Sequence, residues 1–286
     1  MLFSKKITQK SWFFLSVIYL LELLLNSLIN LVIFKQNWFK PLYAASNGLI
    51  QSTLLVSLGA IIIVVFLNLI LLGKISPADL GLDSRKIGQA IIVILGLWTI
   101  AQLVGLVSQY NASGRIALST MWFEQPLTTT IGFLLAQIFG NALHEEIVYR
   151  GFFLPQIHGR ITTCKRSLPR WVPIFLSVLI SQFLFSLAHV PNRIFNGHQG
   201  WAIFQNTLWL LGMGVLFSLV YIITDNLYIA VGVHSLFNFP TALFSSSSVA
   251  GDILMVLTIL LMIVWVFVQR KHNTRTSSMN KKIKTI

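Results

Sequence analysis

Residues 49–72 read LIQSTLLVSLGAIIIVVFLNLILL, a run without a single charged side chain. A helix that crosses a bilayer needs roughly 20 mostly apolar residues, because each residue rises about 1.5 Å across a hydrocarbon core about 30 Å thick. Seven more runs of similar character occur along the chain, and the sequence therefore predicts an all-α polytopic membrane helix bundle of about eight transmembrane helices. The predicted spans are residues 12–34, 49–72, 87–110, 127–153, 171–190, 201–223, 227–244 and 253–268.

The composition excludes a soluble domain. Hydrophobic residues make up 55% of the 286 residues and charged residues only 10%, whereas soluble domains carry roughly 25% charged residues. No linker divides the chain, so we expect one transmembrane domain, residues 1–268, followed by a basic tail, residues 269–286. The first span is too long for a cleaved signal peptide, and we interpret it as a retained signal anchor. One cysteine, Cys164, excludes an intramolecular disulfide.

The lysines and arginines predict the orientation of the bundle. With eight spans, seventeen of the 21 basic residues fall on the side of the termini, a count that includes Arg150. The other side has Lys35, Lys40, Arg115 and Arg193. Cytoplasmic loops carry the excess of positive charge, so both termini are predicted to be cytoplasmic. The net charge of +13 then indicates contact with anionic lipid and not with nucleic acid.

Two adjacent carboxylates in the fourth predicted span are the first candidates for chemistry. Glu146 and Arg150 are four residues apart and share a helix face, a spacing that favours an ion pair. Glu145 is rotated by about 100° from Glu146, because a helix has 3.6 residues per turn. One carboxylate held by a guanidinium and a second one left free are suited to activating water. The alternative is a structural pair that fastens one helix end.

Two further polar pairs repeat the spacing of one helical turn. Phe185 and His189 share a face near the end of the fifth span, and His234 and Asn238 share a face of the seventh. An imidazole can act as a base, an acid, a hydrogen-bond donor or a metal ligand near neutral pH. A single histidine inside a membrane is more often a packing residue, but three such pairs on three spans favour one shared polar site, since each group is costly in hydrocarbon.

In this order the three motifs resemble those of the CPBP family, the CAAX proteases and bacteriocin-processing enzymes, also called the Abi or CAAX prenyl protease 2-like family. The motifs are Glu-Glu-x-x-x-Arg (145–150), Phe-x-x-x-His (185–189) and His-x-x-x-Asn (234–238), and the resemblance covers residues 127–239. It implies an intramembrane endopeptidase, often classed as a metalloprotease, that cleaves a membrane-associated peptide or protein. Some members of the family process prenylated CAAX proteins, and others act in bacteriocin immunity, which suggests a bacterial plasma membrane.

The resemblance also implies a role for each motif residue. Glu145 with His189 would activate the attacking water, while Glu146 and Arg150 would hold the first motif in place. His234 and Asn238 would bind the water or stabilise the oxyanion. Phe185 would shape the wall of the substrate pocket.

Metal dependence is left open by the resemblance. Glu145, His189 and His234 would be the ligands of a zinc ion with water in the fourth position. Metal-free catalysis is favoured here because the amide of Asn238 suits an oxyanion better than a metal. In addition, the eight acidic residues leave few carboxylates to support a zinc-bound histidine from behind. A zinc-binding His-Glu-x-x-His helix is excluded, because Val148 stands at the second histidine position.

Two other functional classes are consistent with the sequence. The first is a non-catalytic protein of bacteriocin immunity, or a membrane scaffold, that binds a partner through the same polar residues. The second is a transporter, which is disfavoured because the chain shows no inverted repeat. Three polar residues lie outside the predicted site: His144 is not part of the family motif, and Glu22 and Asp252 are each expected to meet a neighbouring helix or water.

Overall fold

A computed structural model describes residues 8–164, 168–244 and 250–283, and in these ranges the protein is all-α. The only β contact among them is one bridge between Leu118 and Phe244. Five residues that entered the charge count lie outside the described residues: Lys5, Lys6, Lys165, Arg166 and Lys284. The helices are α1 Trp12–Leu28, α2 Lys40–Ala45, α3 Ser52–Ala60, α4 Ile87–Ser113, α5 Leu127–Leu135, α6 Ala142–Glu145, α7 Leu154–Cys164, α8 Trp171–Ala188, α9 Val190–Phe195, α10 Trp201–Thr224, α11 Leu227–Asn238 and α12 Ala250–Ile283, with π-helical segments Ile29–Phe34, Ile61–Leu72, Ala136–Asn141 and Glu146–Phe153.

Six helical segments in the described ranges are long and apolar enough to cross a membrane, so the protein is an integral membrane protein. The expected count of eight apolar spans is therefore not reproduced. The two segments that differ are those that carry the first and third motifs. The six segments are Trp12–Phe34, Ser52–Leu72, Ser84–Ser113, Trp171–Phe195, Trp201–Thr224 and Gly251–Arg270.

The first motif lies on one continuous helix, residues 127–164, which we call the motif helix. The expected span ended at Phe153, but the helix continues to Cys164. It fails as an apolar span because Glu145, Glu146 and Arg150 stand together in its middle. Two of its turns are π-helical, and such turns often occur at functional sites because they change the direction of the side chains that follow.

The third motif lies on a helix too short to cross a bilayer. α11 has 12 residues, about 18 Å of helix, and it ends at Asn238 instead of continuing to Phe244 as expected. The chain after it is not helical, and side chains of neighbouring segments bind its backbone. Trp122 donates to the Ala242 carbonyl at 2.9 Å, and the Leu243 amide donates to Gln102 at 2.8 Å. Non-helical backbone at membrane depth requires such partners.

Contacts between helix ends define two faces of the bundle. We call the first the N-terminal face. There Arg160 lies over the ring of Trp12, Lys86 pairs with Asp225, and Gln269 donates to the Ile223 carbonyl.

The second face, which we call the distal face, lies at the other helix ends. There Thr128 donates to the Asn47 carbonyl, and Phe34 packs against Phe195. The chain crosses between the two faces in alternating directions, so α12 returns to the N-terminal face.

The structure corrects one step of the charge argument. Arg150 is fully buried inside the bundle and is not a loop charge. Without it, fifteen basic residues lie in the described ranges, and eleven of them belong to segments at the N-terminal face or to the tail. The four remaining ones, Lys35, Lys40, Arg115 and Arg193, belong to segments at the distal face. The asymmetry of charge therefore persists.

Candidate active site

A cavity of about 660 Å³ occupies the middle of the bundle, which is a common size for a pocket that binds a small molecule or a peptide segment. It is lined from α1, α3, the motif helix, α8, α9, α10, α11 and α12. Five of the seven predicted site residues line it, and the other two lie directly behind its wall. The five are Glu145, Phe185, His189, His234 and Asn238, and the two behind are Glu146 and Arg150.

Glu145 faces both histidines of the second and third motifs. Its Oε1 lies 3.3 Å from Nε2 of His189, and its Oε2 lies 3.5 Å from Nε2 of His234. His189 is the residue at which α8 ends, and His234 lies in the middle of α11. Three separate helices therefore place one carboxylate and two imidazole nitrogens at one point of the cavity wall.

Glu146 points away from the cavity, into a buried ion pair. Its Oε1 lies 3.1 Å from Nη1 of Arg150 and 2.8 Å from Nδ1 of His234. Both members of the ion pair are fully buried. The spacing of four residues did predict this pair, and the hydrogen bond to His234 adds the connection to α11. Glu146 thus links the first motif to the third.

Arg150 is held on its other sides by α8 and α10. Its Nη2 donates to the Gly214 carbonyl at 3.0 Å, and its guanidinium carbon lies 4.7 Å from the ring centre of Phe185 and 5.6 Å from that of Phe217. A guanidinium over an aromatic face is stabilised by the ring quadrupole. Phe185 therefore supports the buried charge as well as lining the cavity.

The hydrogen bonds of the histidines assign their protons. Nδ1 of His189 lies 2.8 Å from the Phe185 carbonyl, which can only accept, so this nitrogen donates. Nδ1 of His234 likewise donates to Glu146, whose charge Arg150 balances. Nε2 of each imidazole faces Glu145, and in the neutral tautomer with its proton on Nδ1 this atom carries the lone pair. A lone pair and a carboxylate oxygen repel each other unless a proton or a water molecule joins them, so the site is built to hold one or the other.

Asn238 lies one turn beyond His234, at the edge of the cavity. Its side-chain amide is exposed and donates to Oε1 of Gln137 at 3.0 Å. The amide has a second N–H, and this one remains to be donated to a group inside the cavity. Asn238 therefore lies with the other motif residues, but farther towards the distal face.

The structure adds two residues that the sequence analysis left outside the site. Nε2 of His144 lies 3.1 Å from Oε1 of Glu22, and both side chains are buried and line the cavity. α1, which carries no recognised motif, thus contributes a carboxylate to the wall beside Glu145. The signal was present in the sequence, because a carboxylate within a span requires a partner. Asp252 also lines the cavity, at its exposed edge.

The ligands for zinc are only partly in place. Two ligand atoms of a tetrahedral zinc ion lie roughly 3.4 Å apart. The distance from Glu145 to each histidine nitrogen is close to that value. The two imidazoles approach different oxygens, however, and among the described residues no group of three side chains is arranged to hold one ion. Both imidazoles have acceptors behind them, the Phe185 backbone carbonyl and Glu146, so a shortage of acceptors does not count against zinc here.

Comparison with known proteins finds one family likeness. Residues 127–240 match the model of the Rce1-like family, described as type II CAAX prenyl endopeptidase Rce1-like. The match spans the motif helix through α11 and includes all three motifs. It covers 114 of the 286 residues, and this part of the chain is similar to the CAAX prenyl endopeptidases. No curated protein and no solved structure matches the chain.

Proposed function

We propose that the protein is an intramembrane endopeptidase that hydrolyses a peptide bond of a membrane-associated peptide or protein with water activated by Glu145. The observation that carries this proposal is the contact of Glu145 with Nε2 of both His189 and His234. Both imidazoles are fixed through their Nδ1 atoms, so both lone pairs point to the same place. A water molecule beside that contact can reach all three groups.

The reaction requires two proton transfers. Glu145 removes a proton from the water as its oxygen attacks the carbonyl carbon of the substrate. The water has one further proton, which it donates as a hydrogen bond to Nε2 of either His189 or His234, and this holds the oxygen in line for the attack. When the C–N bond breaks, Glu145 returns the proton to the leaving nitrogen. The products are a new carboxylic acid and a new amine, which then ionise, and no other reactant is required.

Developing charge on the carbonyl oxygen requires a donor, and we assign this role to Asn238. One N–H of its amide is held by Gln137, which fixes the side chain. The second N–H would bind the oxyanion, an interaction that typically contributes about 10²–10³ in rate. Glu146 and Arg150 act behind the site, where they set the tautomer of His234 and hold the motif helix against α10 and α11.

Matched acid-to-amide variants test the proposal. The purified protein is placed in liposomes with quenched fluorescent peptides, in versions with and without a prenylated cysteine. Glu145→Gln should lower cleavage by about 10²–10⁴, the usual contribution of a general base. Glu124→Gln, at an exposed acid outside the cavity, should cleave like the native protein. Equal cleavage by the native protein and Glu145→Gln would overturn the role of Glu145.

A non-catalytic role in bacteriocin immunity is the second candidate. The observation that favours it is the buried Glu146–Arg150 pair. Such a pair would also stabilise a protein that binds a partner without cleaving it. The same variant separates the two roles. Immunity that depends on cleavage disappears in cells with Glu145→Gln at an unchanged protein level. Immunity that depends on binding persists, since the amide conserves the shape of the side chain.

A further inference from the structure

One face of α1, and of the π-helical segment that continues it, is polar and is turned into the bundle. Its four polar residues recur every three or four positions, so they share one side of the helix: Tyr19, Glu22, Asn26 and Asn30. Leu20 and Leu24 are exposed on the other side. The family match begins at residue 127, so this polar face lies outside the matched part of the chain. Polar groups within a span require partners on neighbouring helices.

Glu22 has its partner on the motif helix. Its Oε1 lies 3.1 Å from Nε2 of His144, and the two side chains are 1% and 10% exposed. A carboxylate oxygen accepts hydrogen bonds, so Nε2 of His144 donates. A buried carboxylate without such a donor would be costly. The bond therefore joins α1 to the motif helix at the residue directly before Glu145.

Glu145 lies between two neighbours that are both held by other side chains. His144 is bound by Glu22, and Glu146 is paired with Arg150. α6, which contains His144 and Glu145, is a single turn of four residues, and π-helical segments precede and follow it. Because π-helical turns change the direction of the side chains after them, the regular helix does not by itself fix the rotation of α6. The bonds of the two neighbours supply that constraint.

α1 can hold another helix in place because it is itself fixed on both sides of Glu22. Before Glu22, the Tyr19 hydroxyl donates to the Leu184 carbonyl of α8 at 3.2 Å. After it, Nδ2 of Asn192 on α9 donates to Oδ1 of Asn30 at 2.8 Å. A group that positions a reacting side chain needs support of this kind, since a loosely held one would move with its partner. Glu22 is thus presented by a helix that is bonded to α8 and α9.

We propose that Glu22 is a positioning residue for the hydrolysis. Through its hydrogen bond to His144 it fixes the rotation of α6, and it thereby holds the carboxylate of Glu145 against Nε2 of both His189 and His234. Glu22 and His144 act through Glu145 and take no part in the bond changes. This role rests on the proposed function, in which Glu145 is the general base. A displacement of about 1 Å at such a group can lower a rate about 10²-fold.

Two substitutions of Glu22 separate its hydrogen bond from its charge in the liposome cleavage assay. Glu22→Leu removes the bond and should lower kcat about 10–10²-fold with KM changed less than about threefold, because a displaced base affects the chemical step more than peptide binding. Glu22→Gln retains an oxygen that accepts the proton of Nε2, so its kcat should stay within about threefold of the native value. Equal losses of kcat in the two variants would contradict a role of the hydrogen bond in positioning.

A double variant distinguishes positioning from stabilisation alone. Glu22→Leu with His144→Leu leaves neither polar group without its partner, so its melting temperature in detergent should rise above that of Glu22→Leu towards the native value. Its kcat should nevertheless stay low, because α6 is no longer bonded to α1. Recovery of kcat together with the melting temperature would overturn the proposal. Tyr19→Phe is the matched control, since it removes another hydrogen bond between α1 and a neighbouring helix and should leave kcat unchanged.

Hydrogen exchange followed by mass spectrometry tests the constraint on α6 without any cleavage. The backbone amides of residues 142–146 should exchange roughly tenfold or more faster in Glu22→Leu than in the native protein or in Tyr19→Phe, because a turn that has lost a contact opens more often. Unchanged exchange in Glu22→Leu would refute the constraint, even if kcat falls. If the native protein cleaves no peptide, the proposed function is wrong, while faster exchange in Glu22→Leu would still support the bond between α1 and α6 as the constraint.

Discussion

The two adjacent glutamates offer the sharpest prediction, because they have the same chemistry and opposite surroundings. Glu146 is fully buried against Arg150 and His234, whereas Glu145 faces the cavity. Glu146→Gln leaves the buried guanidinium of Arg150 without a counter-charge. Removal of one member of a buried pair costs about 3–5 kcal/mol. The amide oxygen still accepts a hydrogen bond, so we expect the lower end, about 3 kcal/mol.

The neighbouring substitution should change activity instead of stability. Glu145→Gln removes a charge that faces the cavity and conserves the shape of the side chain, so the free energy of unfolding should change by less than about 1 kcal/mol, within the range of ordinary substitutions. Thermal unfolding in detergent, followed by circular dichroism, measures the difference. With about 2–4 °C per kcal/mol for a chain of this size, Glu146→Gln should melt roughly 6–12 °C below Glu145→Gln.

A double variant supplies the control. Glu146→Leu with Arg150→Met replaces the pair by apolar side chains of similar volume, and it should recover stability relative to Glu146→Leu alone, because no charge is left uncompensated. If Glu146→Gln melts like the native protein, the pair contributes no stability and the reasoning is refuted. A larger loss of stability in Glu145→Gln than in Glu146→Gln would contradict the assignment of the two roles.

Three further predictions concern the metal, the orientation and the packing. Elemental analysis of the active protein should find no stoichiometric zinc, and zinc that is lost and restored together with activity would disprove metal-free catalysis. A reporter fused after Ile286 should face the cytoplasm, because the basic residues gather on that side; a reporter active only outside would show a miscounted span. Gly151→Ala should destabilise the protein by about 1–3 kcal/mol in thermal unfolding, because its Cβ would meet the Leu80 carbonyl and overpacking has this cost. Gly212→Ala, where the new Cβ would meet open space, should not destabilise the protein. Equal melting temperatures of the two variants would contradict the close approach of Gly151 to Leu80.

The sequence by itself determined the class of fold and most of the site. Spans of roughly 20 apolar residues have no soluble alternative, since backbone groups in lipid must be bonded within a helix. Charged groups in such spans are costly, so Glu145, Glu146 and Arg150 indicated a functional site from the sequence alone. The pairing of Glu146 with Arg150 followed from their spacing on one helix. The three motifs in order also resembled the family whose model matches residues 127–240.

Only the tertiary structure decided which residues meet across helices. Sequence spacing fixes neighbours on one helix, but the rotation of each helix about its axis depends on packing against the others. The contact of Glu146 with His234 and the pair of Glu22 with His144 are of this kind. The early end of α11 is another, because side chains of distant segments supply the hydrogen bonds that allow its backbone to leave the helix. The contacts of Tyr149 with Phe185 and of Phe152 with Phe14 likewise join rings from different helices, and no single segment could reveal them.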